Sequence, residues 1–477
     1  MRRNLVISFV QRHIQLLVTI SSVMILSRLV SPEETGVFSI GVAIAALTHV
    51  IRDFGVGNFL VKEADISLEK IRTAFTVSLL IAVALSLVLL GISFPVADFY
   101  NEPRAATVIW ITTLGLLISP FSTIALTLML REQRFVDMFK VSISASFANA
   151  CVAILFGWLG FGAKALALGQ LAQAVMLVLA ANLIRRDGSI YRLSLAYWRD
   201  ISRFGFHMTV SGISDQMGQR ASDLVVGKMV GFSAVGLLSR SGTLVTMVQD
   251  SMLSVMPVLL TTMSENARKN GNVAPMLLSS LGNMSGVMWP VYAVISLFAY
   301  DAIAVLFGAK WLEAAPLTSV LCYGAVFAVM SVLVNTTCNA TNNAHLLSRY
   351  SPAVQGMRVL LVTLGAMTAD LGVVVRLLVL AEMLQATLAY FIFRRIAGIR
   401  FIQVVQHCWR SLLVAALVAA AVFPLRELDC APLLRLMVVG VCAALVWVAA
   451  LYLSRHPLSA EISNAWGVLN LRMRAAR

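Results

Sequence analysis

The stretch "SGISDQMGQRASDL" (residues 211–224) places Ser211, Asp215, Gln219 and Asp223 four residues apart. On a helix, that spacing lines up hydroxyl, carboxylate, amide and carboxylate on one face. Arg220 lies three residues before Asp223 and four after Gln216, within reach of both along the same helix. Such a stripe can wall a hydrated cavity and hold a polar, charge-bearing molecule. It can equally serve as an internally neutralised packing face.

The stripe sits inside an apolar run, and it is not alone. Arg52 and Asp53 occur together near the end of the second apolar run, Asp250 lies in the eighth and Glu382 in the twelfth. A charged side chain facing lipid at the bilayer centre costs roughly 3 kcal/mol on insertion scales. Groups this deep must therefore face one another or water. Adjacent Arg52 and Asp53 point to different sides of a helix, so at least one reaches another element. Lys228, Arg240 and Arg376 lie close enough to the ends of their runs to extend to the membrane surface, and so does Arg358. The candidate cavity residues are therefore Arg52, Asp53, Asp215, Gln219, Arg220, Asp223, Asp250 and Glu382.

The elements that must position them follow from composition. The chain has 477 residues, 59% hydrophobic and 13% charged, too few charges to cover a water-soluble fold of this size. Apolar runs of about 20 residues recur throughout, each able to cross the hydrocarbon as a helix. Window reading gives about fourteen. Their centres are near Val18, Ala46, Leu85, Ile118, Ala150, Val175, Gly218, Val248, Val287, Phe327, Leu361, Ala381, Val418 and Val441. The N-terminal run lacks a small-residue cleavage site and is expected to be a retained span. Loops are short, leaving no room for an extramembrane domain, so function must lie among the helices.

The net charge of +14 would suggest nucleic acid in a soluble protein. Here most of the 37 Lys and Arg residues fall in alternate loops, among them Arg2, Arg3, Lys70, Arg131, Arg185, Arg199, Arg394 and Arg472. That is a positive-inside signal placing both termini in the cytoplasm. Two basic segments, residues 189–205 and the tail around Ile462, Trp466, Leu469 and Met473, have the spacing of helices lying on an anionic inner leaflet. Solvated connectors are the alternative. The six cysteines and six histidines are scattered, which suggests neither a disulfide framework nor a metal site.

"SRLVSPEETGVFSIG" (27–41) and "GKMVGFSAVGLLSRSG" (227–242) correspond at an offset of 200 through Arg28/Lys228, Val30/Val230, Gly36/Gly236 and Ser39/Ser239. The offset implies two parallel six-helix repeats, an architecture used by transporters with a site between halves. The expected division is an N-lobe over residues 1–188, an amphipathic linker and C-lobe over 189–398, and two further spans with a cytoplasmic tail over 399–477.

Enzymatic readings find no support. No P-loop glycine run is present. His49 and Asp53 have three residues between them, not the four of membrane acyltransferase motifs. The large outer loop of an oligosaccharide polymerase or ligase is also missing.

"ILSRLVSPEETGVFSIGVAIAALTHVIRDFGVGNFLVKE" (25–63) resembles the opening of bacterial polysaccharide flippases, the Wzx-type oligosaccharide-lipid exporters of the superfamily that includes MATE transporters. The matching positions are Arg28, Leu29, Val30, Ser31, Pro32, Gly36, Phe38, Asp53 and Gly55. The resemblance continues through Arg131, Glu132, Arg134 and Phe135, then Gly308, Trp311 and Ala314 of "LFGAKWLEAAPL", and "NATNNAH" (339–345). It implies an all-α polytopic protein of the bacterial inner membrane with two pseudo-symmetric lobes and two extra C-terminal helices. Its implied cargo is a polyprenyl-diphosphate-linked oligosaccharide, moved by alternating access beside polymerase and chain-length machinery. No cofactor is implied, and coupling to a proton or cation gradient is open. Arg52 and Arg220 would attract the diphosphate, while Asp53, Asp215 and Asp223 would contact sugar hydroxyls or the coupling ion. A cation-coupled exporter of drugs or small metabolites shares the expected fold, and a non-transporting scaffold of polymer assembly is the reading from another class.

Overall fold

The computed structural model describes residues 2–63, 66–253 and 256–459. Every regular element among them is helical. In chain order these are α1 (Arg2–Leu29), α2 (Pro32–Asp53), α3 (Val56–Lys62), α4 (Leu68–Tyr100), α5 (Pro103–Ile118) and α6 (Pro120–Arg131). There follow α7 (Phe135–Trp158), α8 (Ala163–Arg185), α9 (Trp198–Met229), α10 (Phe232–Leu253), α11 (Met256–Asn270) and α12 (Ala274–Leu297). The last are α13 (Ala299–Leu306), α14 (Ala314–Ala340), α15 (Leu347–Ala366), α16 (Leu371–Ala397), α17 (Phe401–Val422) and α18 (Pro432–Leu453). Each apolar centre read from the sequence falls within one of these helices.

Among the described residues, seven helices, α4, α7, α8, α14, α16, α17 and α18, are long and apolar enough to cross a membrane. The number rises to nine if α5 with α6 and α12 with α13 each form one broken span, bent by 48° and 80°. The chain is thus a multi-pass helical membrane protein. Helices α10 and α15 have 22 and 20 residues but do not qualify by composition.

Local sequence sets the helix ends. Ser31 caps α2 by accepting the Glu34 N–H at 3.3 Å, with Pro32 at the first helical position and two glutamates in the first turn. Ser67 does the same for α4, and the Asp370 carboxylate accepts the Gly372 N–H at 2.7 Å to start α16. The first residue of α6 is Pro120, which has no N–H to continue the α5 ladder; the chain bends there.

Two compact units emerge, Met1–Ser239 and Arg240–Arg477, with α10 divided between them. In the first, α7 packs on α1 and α8, α5 on α4 and α8, and α2 on α5 and α9. Its core includes Leu60, Phe75 and Ile124. In the second, α12 packs on α14 and α17, and α16 packs on α14 and α15. Its core centres on Met288, Tyr292, Leu333 and Phe393.

The basic segment after α8 differs from the amphipathic helix expected of it. Gly188–Tyr191 forms one 3-10 turn, residues 192–197 carry no helix, and α9 begins only at Trp198. Polar groups of the first unit explain the difference. Arg72 Nε donates to the Ser189 carbonyl at 2.9 Å, and the Ser194 N–H donates to Thr76 Oγ1 at 2.9 Å. The Tyr191 hydroxyl donates to the Phe121 carbonyl at 2.8 Å while Ile190 is buried among Phe75 and Ile124. Leu193 is exposed and Ile201 buried, so the expected apolar face does not form. The tail expectation at residues 462–473 lies outside the described residues.

After α18, His456 is buried in a polar network. Its Nδ1 accepts the Leu458 N–H at 3.2 Å, and its Nε2 lies 3.0 Å from Ser411 Oγ, itself 2.8 Å from Ser285 Oγ. With Nδ1 occupied as an acceptor, the neutral imidazole carries its proton on Nε2. Burial, and secondarily the Arg410 guanidinium, lowers the pKa below the usual 6.5. The unfolded chain therefore binds this proton more readily. The contribution to stability is complete above about pH 6.5 and is lost as pH falls through the lowered value. We expect the midpoint of thermal unfolding to drop on acidification from pH 7 to pH 5, and His456→Gln to flatten that slope. An unchanged slope in the variant would remove His456 as the titrating group.

Candidate functional site

The polar positions divide between the two units. In the first, α2 ends at Asp53 because Phe54 and Gly55 both take left-handed conformations, φ 35° and 62°. Only glycine takes that conformation without strain, and the break starts the short helix α3. Arg52 sits half-buried in the last turn of α2, where a cation meets the partial negative charge of the helix end. The end of α3 is held in turn by Arg131, whose Nη1 donates to the carbonyls of Leu60 at 2.9 Å and Glu63 at 2.6 Å. The arginine of the "REQRF" loop thus caps a helix and is not free for cargo.

Helix α9 packs directly on α2 and carries the four-residue stripe. Arg220 Nη1 lies 3.8 Å from Asp223 Oδ2, with side chains 39% and 19% exposed. The in-helix pairing read from their spacing is therefore present, though too long for a direct hydrogen bond. Among the described residues, Arg220 Nε is buried without a hydrogen-bond partner. Gln219 is exposed beside it. The side chains of Asp53 and Asp215 lie outside the described residues.

In the second unit, Asp250 stands on the exposed side of α10. Glu382 on α16 is the better-defined group. Its Oε1 lies 3.7 Å from Arg358 Nη1 on α15, with side chains 24% and 31% exposed although both helices run through the unit. Gly324 of α14 brings that helix against the Glu382 stem, since a methyl group there would meet Cγ at 3.6 Å. Tyr292 and Tyr350 are within electrostatic range of the carboxylate, the first hydroxyl beside Gln249 and the second beside Ser331 and Gln385. Among the described residues, Gln355 Oε1 and Arg358 Nε are buried without a hydrogen-bond partner. An ion pair at this distance, beside tyrosine hydroxyls and amide side chains, provides the donors and acceptors that water or a polyhydroxylated molecule requires.

Several expectations change here. Arg358, expected to reach for the membrane surface, has Glu382 as a partner inside the unit. Arg240 likewise faces the rings of Phe307 and Trp311, at 5.8 Å and 5.4 Å from their centroids. The G-x-x-W element is thereby braced against α10, an arrangement helped by Ser241 Oγ donating to the Ala314 carbonyl at 3.1 Å. Lys228 donates to the Phe99 carbonyl and lies over that ring. Arg376 is exposed as expected, 3.7 Å from Asp370.

Sequence reasoning missed Tyr292, Tyr350 and Ser331, and it assigned Arg358 to the end of its run instead of to Glu382. A signal was present in α15, where Tyr350, Val354 and Arg358 fall four apart, and in α16, where Glu382 and Gln385 are three apart. Among the described residues, no cluster of three or more His, Cys, Asp or Glu could hold a metal ion.

Multi-pass helices with polar groups held inside the membrane-spanning units define a membrane transport protein. A family profile described as "Polysaccharide biosynthesis protein" matches residues 25–316, and the chain belongs to that family. It is 25% identical over 301 residues to the succinoglycan biosynthesis transport protein ExoT of Rhizobium meliloti, covering 63% of this chain and 61% of ExoT. The match thus spans about three fifths of that relative's length. Against the lipopolysaccharide biosynthesis protein WzxC of Escherichia coli the identity is 20% over 454 residues, covering 92% of this chain and 91% of WzxC. Among solved structures, the inward closed form of the lipid II flippase MurJ superposes with a TM-score of 0.76 at 14% identity, covering 94% of this chain and 98% of MurJ. An inward-facing multidrug resistance MATE transporter of the MOP superfamily gives 0.65 at 14% identity, covering 80% of this chain and 95% of the transporter. These likenesses establish the MurJ- and MATE-like fold.

Removal of one member of the Arg358–Glu382 pair leaves the other charge uncompensated. Arg358→Ala should destabilise the purified protein by about 1 kcal/mol or more, and adding Glu382→Gln should recover part of the loss. Thermal unfolding of the two single variants and the double variant measures the coupling. Strict additivity would show that the two groups do not interact.

Proposed function

We propose that the protein is a flippase for polyprenyl-diphosphate-linked oligosaccharide, carrying a polysaccharide repeat unit from the cytoplasmic to the opposite leaflet of a bacterial inner membrane. Membership of the polysaccharide biosynthesis family carries the reading. The names of ExoT as a transport protein and MurJ as a lipid II flippase support it.

The residues give it chemical content. A lipid-linked oligosaccharide combines an anionic diphosphate, a hydroxyl-rich glycan and an apolar tail. Arg52 and Arg220 supply cationic groups for the diphosphate. Gln219, Asp223, Asp250 and Glu382, with Asp53 and Asp215, supply acceptors for sugar hydroxyls or a coupling proton or cation. The Arg220–Asp223 and Arg358–Glu382 pairs, with 3.8 Å and 3.7 Å between their charged atoms, suit a transporter. Each can exchange its partner for cargo at small cost. In this reading the chain crosses the membrane fourteen times with both termini in the cytoplasm, moves its cargo by alternating access, and hands it to polymerase and chain-length machinery.

A strain lacking the protein should accumulate lipid-linked oligosaccharide in the cytoplasmic leaflet, and the intact gene should clear it. Arg220→Ala should clear it at least tenfold more slowly while inserting normally, as expected for loss of one charge-assisted contact worth about 1.5–3 kcal/mol. Extraction and leaflet-selective labelling of the intermediate would read both effects. Absence of accumulation would refute the flippase and leave the scaffold or small-molecule exporter.

A further inference from the structure

A set of polar side chains gathers where α14, α15 and α16 meet in the second unit. Arg358 of α15 and Glu382 of α16 are paired at 3.7 Å. Tyr350, eight residues before Arg358, sets its hydroxyl beside Gln385 of α16 and Ser331 of α14. Two polar contacts thus cross from α15 to α16, and Gln355 falls between their α15 members in the chain. Gln355 and Arg358 are three residues apart, as are Glu382 and Gln385, so each couple shares one face of its helix. On α14, Ser331 follows Gly324 by seven residues, on the face that Gly324 brings against the Glu382 stem.

All of these side chains are half-buried, unlike Leu333 and Phe393 in the sealed core beside them. A polar cluster that only held helices together would close on itself through its own hydrogen bonds. This cluster keeps capacity in hand. Among the described residues, Gln355 Oε1 and Arg358 Nε are buried without a hydrogen-bond partner. An acceptor and a donor therefore remain within one turn of each other on α15.

Charge decides which part of a lipid-linked oligosaccharide this cluster fits. Arg358 and Glu382 are its charged members and offset one another; the others are neutral. A diphosphate needs cations in excess, which the cluster does not supply. A sugar hydroxyl both donates and accepts, and guanidinium, carboxylate, amide and phenol groups offer both kinds of partner. A carboxylate on the sugar would compete with Glu382 for Arg358, and an amine would compete with Arg358 for Glu382. Either substituent leaves one charge unmatched in a half-buried setting, a stronger penalty than a misplaced hydroxyl.

We propose that this cluster is a glycan-reading subsite for an uncharged sugar, in which the Arg358–Glu382 pair rejects acidic and amino sugars. The assignment rests on the transport reading for its lipid-linked cargo and deepens it by dividing the labour. Arg52 and Arg220 of the first unit serve the diphosphate, and the neutral cluster of the second unit serves the glycan. Gln355 and Gln385 are the hydrogen-bonding contacts, Tyr350 positions Gln385, and Glu382 discriminates against a sugar carboxylate.

Binding of three probes to the purified full-length protein in lipid nanodiscs tests this. They are a polyprenyl diphosphate carrying a neutral hexose disaccharide, the same carrier with a hexuronic acid disaccharide, and the bare polyprenyl diphosphate. The wild type should prefer the neutral glycan over the acidic one by about tenfold or more, equivalent to about 1.4 kcal/mol. Glu382→Gln should erase that preference, since Arg358 then meets the sugar carboxylate without a competitor. That variant also strands a charge, so Gln355→Ala and Gln385→Ala give a second reading with the ion pair intact. Each should weaken binding of the neutral glycan by about threefold or more while binding of the bare carrier stays unchanged. Equal binding of the neutral and acidic glycans by the wild type would overturn the subsite. So would a preference that survives Glu382→Gln, or glutamine variants that weaken all three probes alike, the mark of a merely structural role. A wild type that binds none of the three probes removes the transport reading itself, whereas binding without charge discrimination removes only the subsite.

Discussion

A charge within the hydrocarbon must be met by another polar group, and this requirement organises the molecule more than any apolar contact does. Leucine and valine are as content against lipid tails as against one another, so apolar burial alone cannot choose between helix arrangements in a bilayer. The charges can. Arg435 on α18 meets the buried Asp301 at 3.1 Å, which fixes α18 against α13. Arg131 is consumed by the carbonyls ending α3, and Arg240 by the faces of Phe307 and Trp311. Each solution removes a cation from the pool that cargo could use. The longer pairs, Arg220 with Asp223 at 3.8 Å and Arg358 with Glu382 at 3.7 Å, are correspondingly informative.

The helices were legible because twenty apolar residues in a row admit few other structures. Breaks within them were harder to read. The bend at Pro120 follows from a missing N–H, but the 80° turn between α12 and α13 falls at Phe298, where composition gives no warning. The segment after α8 was misread for a related reason. Its periodicity fits a helix, yet Arg72, Thr76 and Phe121 offer its backbone and Tyr191 better partners than the next turn would. Tertiary hydrogen bonds overrode a local pattern.

The candidate site was legible as a list of charges but not as a set of pairs. Spacing within one helix revealed Arg220 with Asp223 because both lie on the same element. The partner of Glu382 lies 24 residues away on α15, and nothing in a single sequence links them. Distance from the end of an apolar run was also a poor guide to snorkelling. Arg240 is two turns into α10, close enough to reach a surface, yet aromatic rings brought by α13 and the turn after it give it a nearer partner. Rules based on depth treat each helix as isolated, and both corrections come from neighbours.

The contrast between charged and main-chain contacts bears on how such a fold can move. Three carboxylates around Arg104 tie α2, α5 and α8 together by bonds that are costly to break and directional when made. Carbonyl oxygens resting on glycine Cα atoms give close approach at low energy, beside the apolar packing of Phe232 against the Val37 and Val108 cluster. A transporter needs both kinds of contact, because an interface closed entirely by ion pairs would not reopen on a useful timescale. In this chain the two kinds occur within a few residues of each other on α2, where Glu33 and Glu34 carry the first and Gly36 the second.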